Sequence, residues 1–332
     1  MIQKNKLKIL ITGGAGMIGS NLVKKLVEVG YNVFVADNLW RGKKEYLYSD
    51  KKEMVIPNKN FNQVDLSDYD NCLKATDGMD IVIHLADVVA GINYVFANES
   101  SVYRSNILIN TNTLQACILN KVKKYIYAGT ACSYPKSKQL DLNPPPFEED
   151  DVYPAEPESS YGWSKLMGEY EAELAFKSGL IDIEILRLHN VYGSPAELDP
   201  SKSQVIPALC RKTIEQKNQE LLVWGSGKQK RAFVHVEDIV DGFIKAINKK
   251  NKFAGAIQLG PNYSTSIAEI AERIVLLSGK KIQIKFDKSR PEGDFDRMAN
   301  NSRAKKYLNW TPVIGLDEGL KKVYNWCEKK LL

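Results

Sequence analysis

The feature that most narrows what this chain can fold into is a short apolar run that breaks directly into a glycine turn. Ile9-Leu10-Ile11-Thr12 is followed by Gly13-Gly14-Ala15-Gly16-Met17-Ile18-Gly19. The apolar run reads as a buried strand, and past the turn Ile18, Leu22, Val23 and Leu26 recur at spacings of three and four, on one face of a helix. Gly30 closes that helix. Strand, tight turn and helix together make a seat for a pyrophosphate. Gly13 permits the bend, Gly16 lets an anion approach the backbone, and Gly19 lets the helix lie close to the strand. The first helical N–H groups, from Met17 and Ile18 onward, point at that anion. A glycine triplet says little by itself, and its position between strand and helix gives it weight.

The alternation continues along the chain. Runs at 8–11, 32–36, 81–85, 125–128 and 183–188 read as strands separated by longer segments of helical period, the pattern of a parallel sheet with crossover helices. The expected fold class is α/β, a Rossmann-type doubly wound parallel sheet with a smaller α/β substrate-binding lobe. After Gly193 the regularity weakens, with helices expected at 205–216, 236–246 and 316–329 and a strand at 221–224. Residues 1–188 are expected to form the nucleotide-binding domain, with 232–250 returning to it, and 189–231 and 251–332 the substrate lobe. The stretch 136–157, with Pro144-Pro145-Pro146 before Glu148-Glu149-Asp150-Asp151, reads as a surface loop.

Composition excludes several classes. With 44% hydrophobic residues in 332, disorder is not expected. The net charge of +6 is spread along the chain, which argues against a nucleic-acid groove and leaves a few cations for a diphosphate. Cys72, Cys117, Cys132, Cys210 and Cys327 are odd in number with no C-x-x-C pair, as reduced thiols are; no metal site is expected. No signal-like or membrane-length apolar run is present, so the expected location is the cytoplasm, away from any membrane.

Asp37 ends the second strand run, where a carboxylate accepts both ribose hydroxyls of NAD and repels the 2′-phosphate of NADP; the alternative is a turn cap with Asn38. NAD is therefore the expected cofactor, with Arg41 nearby as the one feature favouring NADP. Asp65 follows another short strand, beside the adenine or as an ordinary loop aspartate, and Asn38, Leu66 and Leu85 join the expected cofactor contacts. Further on, Tyr161-Gly162-Trp163-Ser164-Lys165 sets a phenol and an ammonium one helical turn apart. The lysine field is expected to lower the phenol pKa, so that Tyr161 exchanges a hydroxyl proton while a hydride moves to NAD and Lys165 holds the nicotinamide ribose.

With these residues the chain resembles the extended short-chain dehydrogenases, in their NAD-dependent epimerase/dehydratase branch, from about residue 8 to the last helix. Ala131-Cys132-Ser133-Tyr134-Pro135, Pro154-Ala155-Glu156-Pro157 and Arg187-Leu188-His189-Asn190-Val191-Tyr192-Gly193 look most like the GDP-mannose 3,5-epimerase group, as do Gly91-Ile92-Asn93-Tyr94 and Trp224-Gly225-Ser226-Gly227. The resemblance implies a nucleotide-diphosphate sugar as substrate and a homodimer paired through a four-helix interface. Thr130 would hydrogen-bond the reacting hydroxyl beside Tyr161. Cys132 would remove a proton from C3 or C5 after transient oxidation at C4. Gly91 and Asn190 would contact the substrate, and Arg231 and Arg297 would clamp its diphosphate. Arg187, His84, His189 and His235 read as structural.

One departure stands out. Where the epimerase group has a second acid/base lysine and GDP-fucose synthases a histidine, this chain reads Lys202-Ser203-Gln204-Val205-Ile206-Pro207. Glutamine cannot relay a proton. Either Lys202 reaches in, or one carbon alone is inverted, or the reaction stops elsewhere. The alternatives in the same fold are a UDP-glucose 4-epimerase-like enzyme needing only Thr130, Tyr161 and Lys165, a 4,6-dehydratase, disfavoured because Ala131-Cys132 replaces the usual Asp-Glu pair, and a 4-keto reductase, against which Asp37 argues. A non-catalytic NAD-binding sensor or scaffold is the reading from another class.

Overall fold

A computed structural model describes residues 7–141, 144–217, 219–249, 255–290 and 295–332; residues 1–6 of the expected first domain and 251–254 of the expected lobe lie outside them. Its strands are β1 Lys8–Thr12, β2 Asn32–Asp37, β3 Phe61–Gln63, β4 Ile81–His84, β5 Lys124–Thr130, β6 Asp182–Leu188, β7 Asn190–Tyr192, β8 Glu220–Trp224, β9 Lys230–Arg231, β10 Phe233–His235, β11 Ala256–Leu259, β12 Thr265–Ser266 and β13 Gln283–Asp287. The helices are α1 Met17–Glu28, α2 Tyr69–Thr76, α3 Ile92–Ala97, α4 Glu99–Leu119, α5 Ser160–Lys177, α6 Val205–Glu215, α7 Val236–Asn248, α8 Ile267–Ser278, α9 Ser302–Leu308 and α10 Leu316–Leu331.

Seven strands form one parallel sheet in the order β11-β6-β5-β4-β1-β2-β3. This is the doubly wound α/β arrangement. Because side chains alternate across a strand, Ile9 and Ile11 of β1 enter one core while Leu10 enters the other. On the first face lie α1 and α7, whose Leu22, Val23, Leu26, Ile239 and Phe243 are buried against the sheet. Each contributes on the order of 2 kcal/mol by leaving water. The second face is covered by α2, α4 and α5 through Cys72, Leu114, Cys117 and Ala172. A third core joins α6, α8 and α10 through Leu209, Ile270 and Leu320.

Strand order reverses between β1 and β4, and the crevice at their carboxyl ends opens there. Gly19 is fitted to that crevice, since a Cβ on it would stand 2.3 Å from the Gly13 carbonyl oxygen. Any other residue would push α1 off the turn.

Two expectations are corrected. The segment 251–332, expected wholly in the substrate lobe, adds β11 to the large sheet and supplies Ala304, Leu308 and Trp310 to its first core. The stretch 136–157 is not simply a surface loop. Gln139, Phe147, Glu149 and Val152 are buried, because Glu149 accepts from the Gln258 backbone N–H at 3.0 Å and its own carbonyl accepts from Arg187 at 2.8 Å.

Candidate active site

A single cleft of about 760 Å³ runs from the glycine turn across the ends of β1, β4 and β5 to the third core. Gly13, Gly16, Met17, Ile18, Gly19, Asp37, Asn38, Asp65, Leu66 and Leu85 all line it, at one end. The start of α1 has no side-chain cap, so its first N–H groups are free to face an anion. Asp37 is buried. Its Oδ2 accepts from Ala15 N at 2.9 Å and its Oδ1 from Leu39 N at 2.8 Å, so the carboxylate braces the glycine turn and caps its own turn at once. Burial pushes its pKa up and the two N–H donors oppose that shift. Asp65 holds Ser67 N and Oγ at 2.9 and 2.8 Å. Each carboxylate keeps lone pairs for a ribose or a base, and the uncapped helix start suits the pyrophosphate, so these residues fit NAD. Arg41 turns its Nη1 to the Val89 carbonyl at 3.0 Å.

At the middle of the cleft lie Thr130, Cys132 and Tyr161. Ser159 caps α5 by accepting from Gly162 N at 3.2 Å, which fixes the first turn carrying Tyr161. Gly162 lets that turn press against the turn after β5: a Cβ there would meet the Cys132 carbonyl oxygen at 2.3 Å. Thr130 accepts from Cys132 N at 3.2 Å, setting the thiol beside the phenol. Arg297 donates from Nη1 to Cys132 Sγ at 3.0 Å, while its Nη2 lies 3.7 Å from Glu158 and its Nε bonds Gln139.

The expected activation of Tyr161 by Lys165 is not what this arrangement gives. Burial, then the charges of Asp87 and Cys132, push the phenol well above its ordinary pKa, against the hydrogen bond from Thr130. Lys165 does not itself line the cleft; its Nζ is 3.1 Å from Asp87 Oδ2 and 4.3 Å from the Tyr127 ring centroid. Asp87 was missed by the sequence reading, although a lone carboxylate in the apolar run Leu85-Ala86-Asp87-Val88-Val89-Ala90 is a visible signal.

Gly91, Asn190 and Arg231 line the cleft beyond this centre, whereas Arg297, expected to clamp the diphosphate with Arg231, lines it at the centre beside Cys132. Lys202 does not: its ammonium reaches the Trp40 carbonyl at 3.2 Å and sits 4.9 Å from the Trp40 ring centroid, a carbonyl and a π face that hold it aside. Ser201, Ser203 and Gln204 line the cleft in its place. Arg187 is a structural partner of Glu169 at 2.6 Å. His84 is held between Thr12 and Asn110 at 2.9 and 3.0 Å and His189 by Gln258 at 2.9 Å, and burial pushes their pKa values down to about 3 and about 4. His235 caps α7 through Glu237 N. Among the described residues no group of His, Cys, Asp and Glu is arranged to hold a metal, and no helix is long and apolar enough to cross a membrane.

A model of the NAD-dependent epimerase/dehydratase family matches residues 9–260. The chain belongs to that family. It is an enzyme fold whose family cofactor is NAD, the one expected from Asp37. GDP-mannose 3,5-epimerase 1 of Oryza sativa subsp. japonica is 33% identical over 326 residues, 98% of this chain and 83% of its own length. A putative UDP-glucose 4-epimerase of Methanocaldococcus jannaschii is 34% identical, with 96% of this chain and 98% of its own covered. The structure of a UDP-glucose 4-epimerase with UDP-glucose from Thermotoga maritima superposes with a TM-score of 0.83 at 27% identity, covering 98% of this chain and 100% of that one.

Proposed function

We propose that this enzyme is a nucleotide-sugar epimerase that works through transient oxidation at C4, with Cys132 removing a proton from C3 or C5. The observation that carries the reading is the meeting, in one cleft, of the Tyr161 phenol and a Cys132 sulfur that accepts a hydrogen bond from Arg297. The 33% identity to a GDP-mannose 3,5-epimerase supports it.

When bound at the glycine turn, NAD supplies the hydride acceptor and later the hydride donor. Tyr161, once its phenol has given its proton to solvent, takes the C4 hydroxyl proton as the carbonyl forms, with the Thr130 hydroxyl beside it. The ketone acidifies the neighbouring C–H bonds, and the Cys132 thiolate removes one of those protons while the bonding pair moves toward the carbonyl oxygen. The Arg297 guanidinium holds the sulfur in place and offsets its charge. Delivery of a proton from water on the other face inverts the carbon while Cys132 releases its proton to solvent, and Tyr161 gives back its proton as the ketone is reduced. Its raised proton affinity suits that last role. Gly91, Asn190 and Arg231 hold the sugar and diphosphate in this scheme. Pairing of two copies through α4 and α5, where Tyr103, Leu108, Tyr170 and Leu174 are exposed, belongs to the same reading.

A simple 4-epimerase is the second reading, favoured by Lys202 lying off the cleft and Gln204 lining it. Incubation with GDP-, UDP- and dTDP-sugars in deuterated water separates the two. Deuterium at C3 or C5, lost in Cys132→Ala, is the expected outcome; inversion without incorporation would assign the 4-epimerase.

A further inference from the structure

At the reacting end of the cleft stands a buried carboxylate with an incomplete set of partners. Asp87 follows β4 in the loop that lines the cleft from Leu85 to Gly91. Its side chain is 7% exposed, and its Oδ2 lies 3.1 Å from the Nζ of Lys165, whose side chain is 2% exposed. Its Oδ1 is buried and accepts no hydrogen bond. The same carboxylate also faces the Tyr161 phenol. A carboxylate kept only to stabilise the fold would have both oxygens satisfied, as those of Glu169 are by Arg187.

The groups that act on Tyr161 come from every element around it. Lys165 lies on its own helix and Asp87 in the loop after β4; Tyr127 is on β5 and Cys132 in the turn beyond it; Arg41 stands in the loop after β2. Arg297 stands behind Cys132. Lys165 and Arg41 favour the phenolate, whereas Asp87 and Cys132 oppose it. Asp87 differs from the rest because it both faces the phenol and neutralises the ammonium that would otherwise activate it.

We propose that Asp87 is a positioning residue for the Tyr161–Lys165 pair, holding the ammonium in place and cancelling its charge at the phenol, so that Tyr161 stays protonated in the free enzyme. This rests on the reading of Tyr161 and Lys165 as the acid/base pair. The consequence is that loss of the carboxylate frees the lysine field. Phenolate then forms at lower pH, and the pH dependence of sugar oxidation moves with it.

The test is an ultraviolet difference titration of the ligand-free protein, with the Tyr161→Phe spectrum subtracted so that only this phenolate is read. Wild type and Asp87→Asn are compared, each within the pH range where circular dichroism shows the fold intact. The variant is expected to ionise at least about one pH unit lower, roughly tenfold more phenolate at a given pH. In turnover assays the limb of kcat/KM that needs the phenolate should shift to lower pH by the same amount. Asp87→Ser, smaller and also neutral, gives the same comparison should the asparagine variant not fold. Superimposable titrations would overturn the proposal, as would loss of the fold in both variants, since the residue would then be purely structural. The titration needs no substrate. A phenol shift in a protein that turns over no nucleotide sugar would sink the functional reading alone, and turnover without a phenol shift would sink the role of Asp87 alone.

Discussion

Two buried ion pairs share helix α5, one turn apart, and they are finished to different degrees. Arg187 and Glu169 meet at 2.6 Å, and the guanidinium also reaches the Tyr134 hydroxyl at 3.2 Å and the Glu149 carbonyl at 2.8 Å. Tyr134 passes the network to Gln258 at 2.9 Å, and Gln258 to His189 at 2.9 Å. The other pair, Lys165 with Asp87, is longer at 3.1 Å and leaves one carboxylate oxygen without a partner. Burial costs both pairs heavily in desolvation, and only the first recovers it through a full set of hydrogen bonds. The completed pair therefore ties the loop at 136–157 to the sheet end. The incomplete one borders the cleft, where capacity left over is available to chemistry.

If that contrast is right, the two carboxylates should differ sharply when each is made an amide. Glu169→Gln is expected to lower the unfolding free energy by about 3–5 kcal/mol, because it leaves the Arg187 charge buried and uncompensated. Asp87→Asn also leaves the Lys165 ammonium without its charge partner, but that pair is longer and already short of hydrogen bonds, so the loss is expected to be smaller, about 1–3 kcal/mol. Urea unfolding of both variants at neutral pH measures this. Equal losses would break the comparison.

Acid should attack the same network from its far end. His189 is neutral when folded, with a pKa pushed down to about 4 by burial, then by the charges of Arg297 and Arg187 against the hydrogen bond to Gln258. In the unfolded chain a histidine titrates near 6.5, so between those values the unfolded state binds more protons. Stability from this group is complete above about pH 6.5 and is lost as pH falls toward 4, by on the order of 2–3 kcal/mol. Urea midpoints measured from pH 7 to pH 4 should fall less steeply in His189→Gln than in the wild type. An unchanged slope would remove His189 from the network's acid response.

The same contrast governs what the sequence could disclose. The glycine turn, Asp37 at the end of β2 and the Tyr161/Lys165 spacing are local patterns, and periodicity placed α1, α6, α7 and α10 because their buried faces repeat at helical spacing. What closes the site is not local. Arg297 reaches Cys132 across 165 positions, Gln258 joins Glu149 across 109, and Asp87 meets Lys165 from a different crossover. No spacing rule links such residues, so Asp87 was overlooked and the stretch at 136–157 passed for a plain loop. Lys202 shows the opposite case: its place in the chain leaves a reach into the cleft open, and Trp40, far away in sequence, offers the ammonium a carbonyl and a ring.

Lys202 gives the smallest and most discriminating test. If a cation with settled partners belongs to the scaffold, then Lys202, held by a carbonyl oxygen and a π face, should behave like Arg187 and unlike Lys165. Lys202→Met keeps the side-chain length and removes the charge, forfeiting a cation–π contact worth about 0.5–1 kcal/mol. Turnover should fall less than about fivefold, and deuterium should still enter the sugar to the same extent. A drop of about a hundredfold, with incorporation lost, would mean that the loop carrying Lys202 reaches into the cleft as the second acid. Such partners would then no longer separate scaffold from chemistry, because a lysine with two of them would have left both to move a proton.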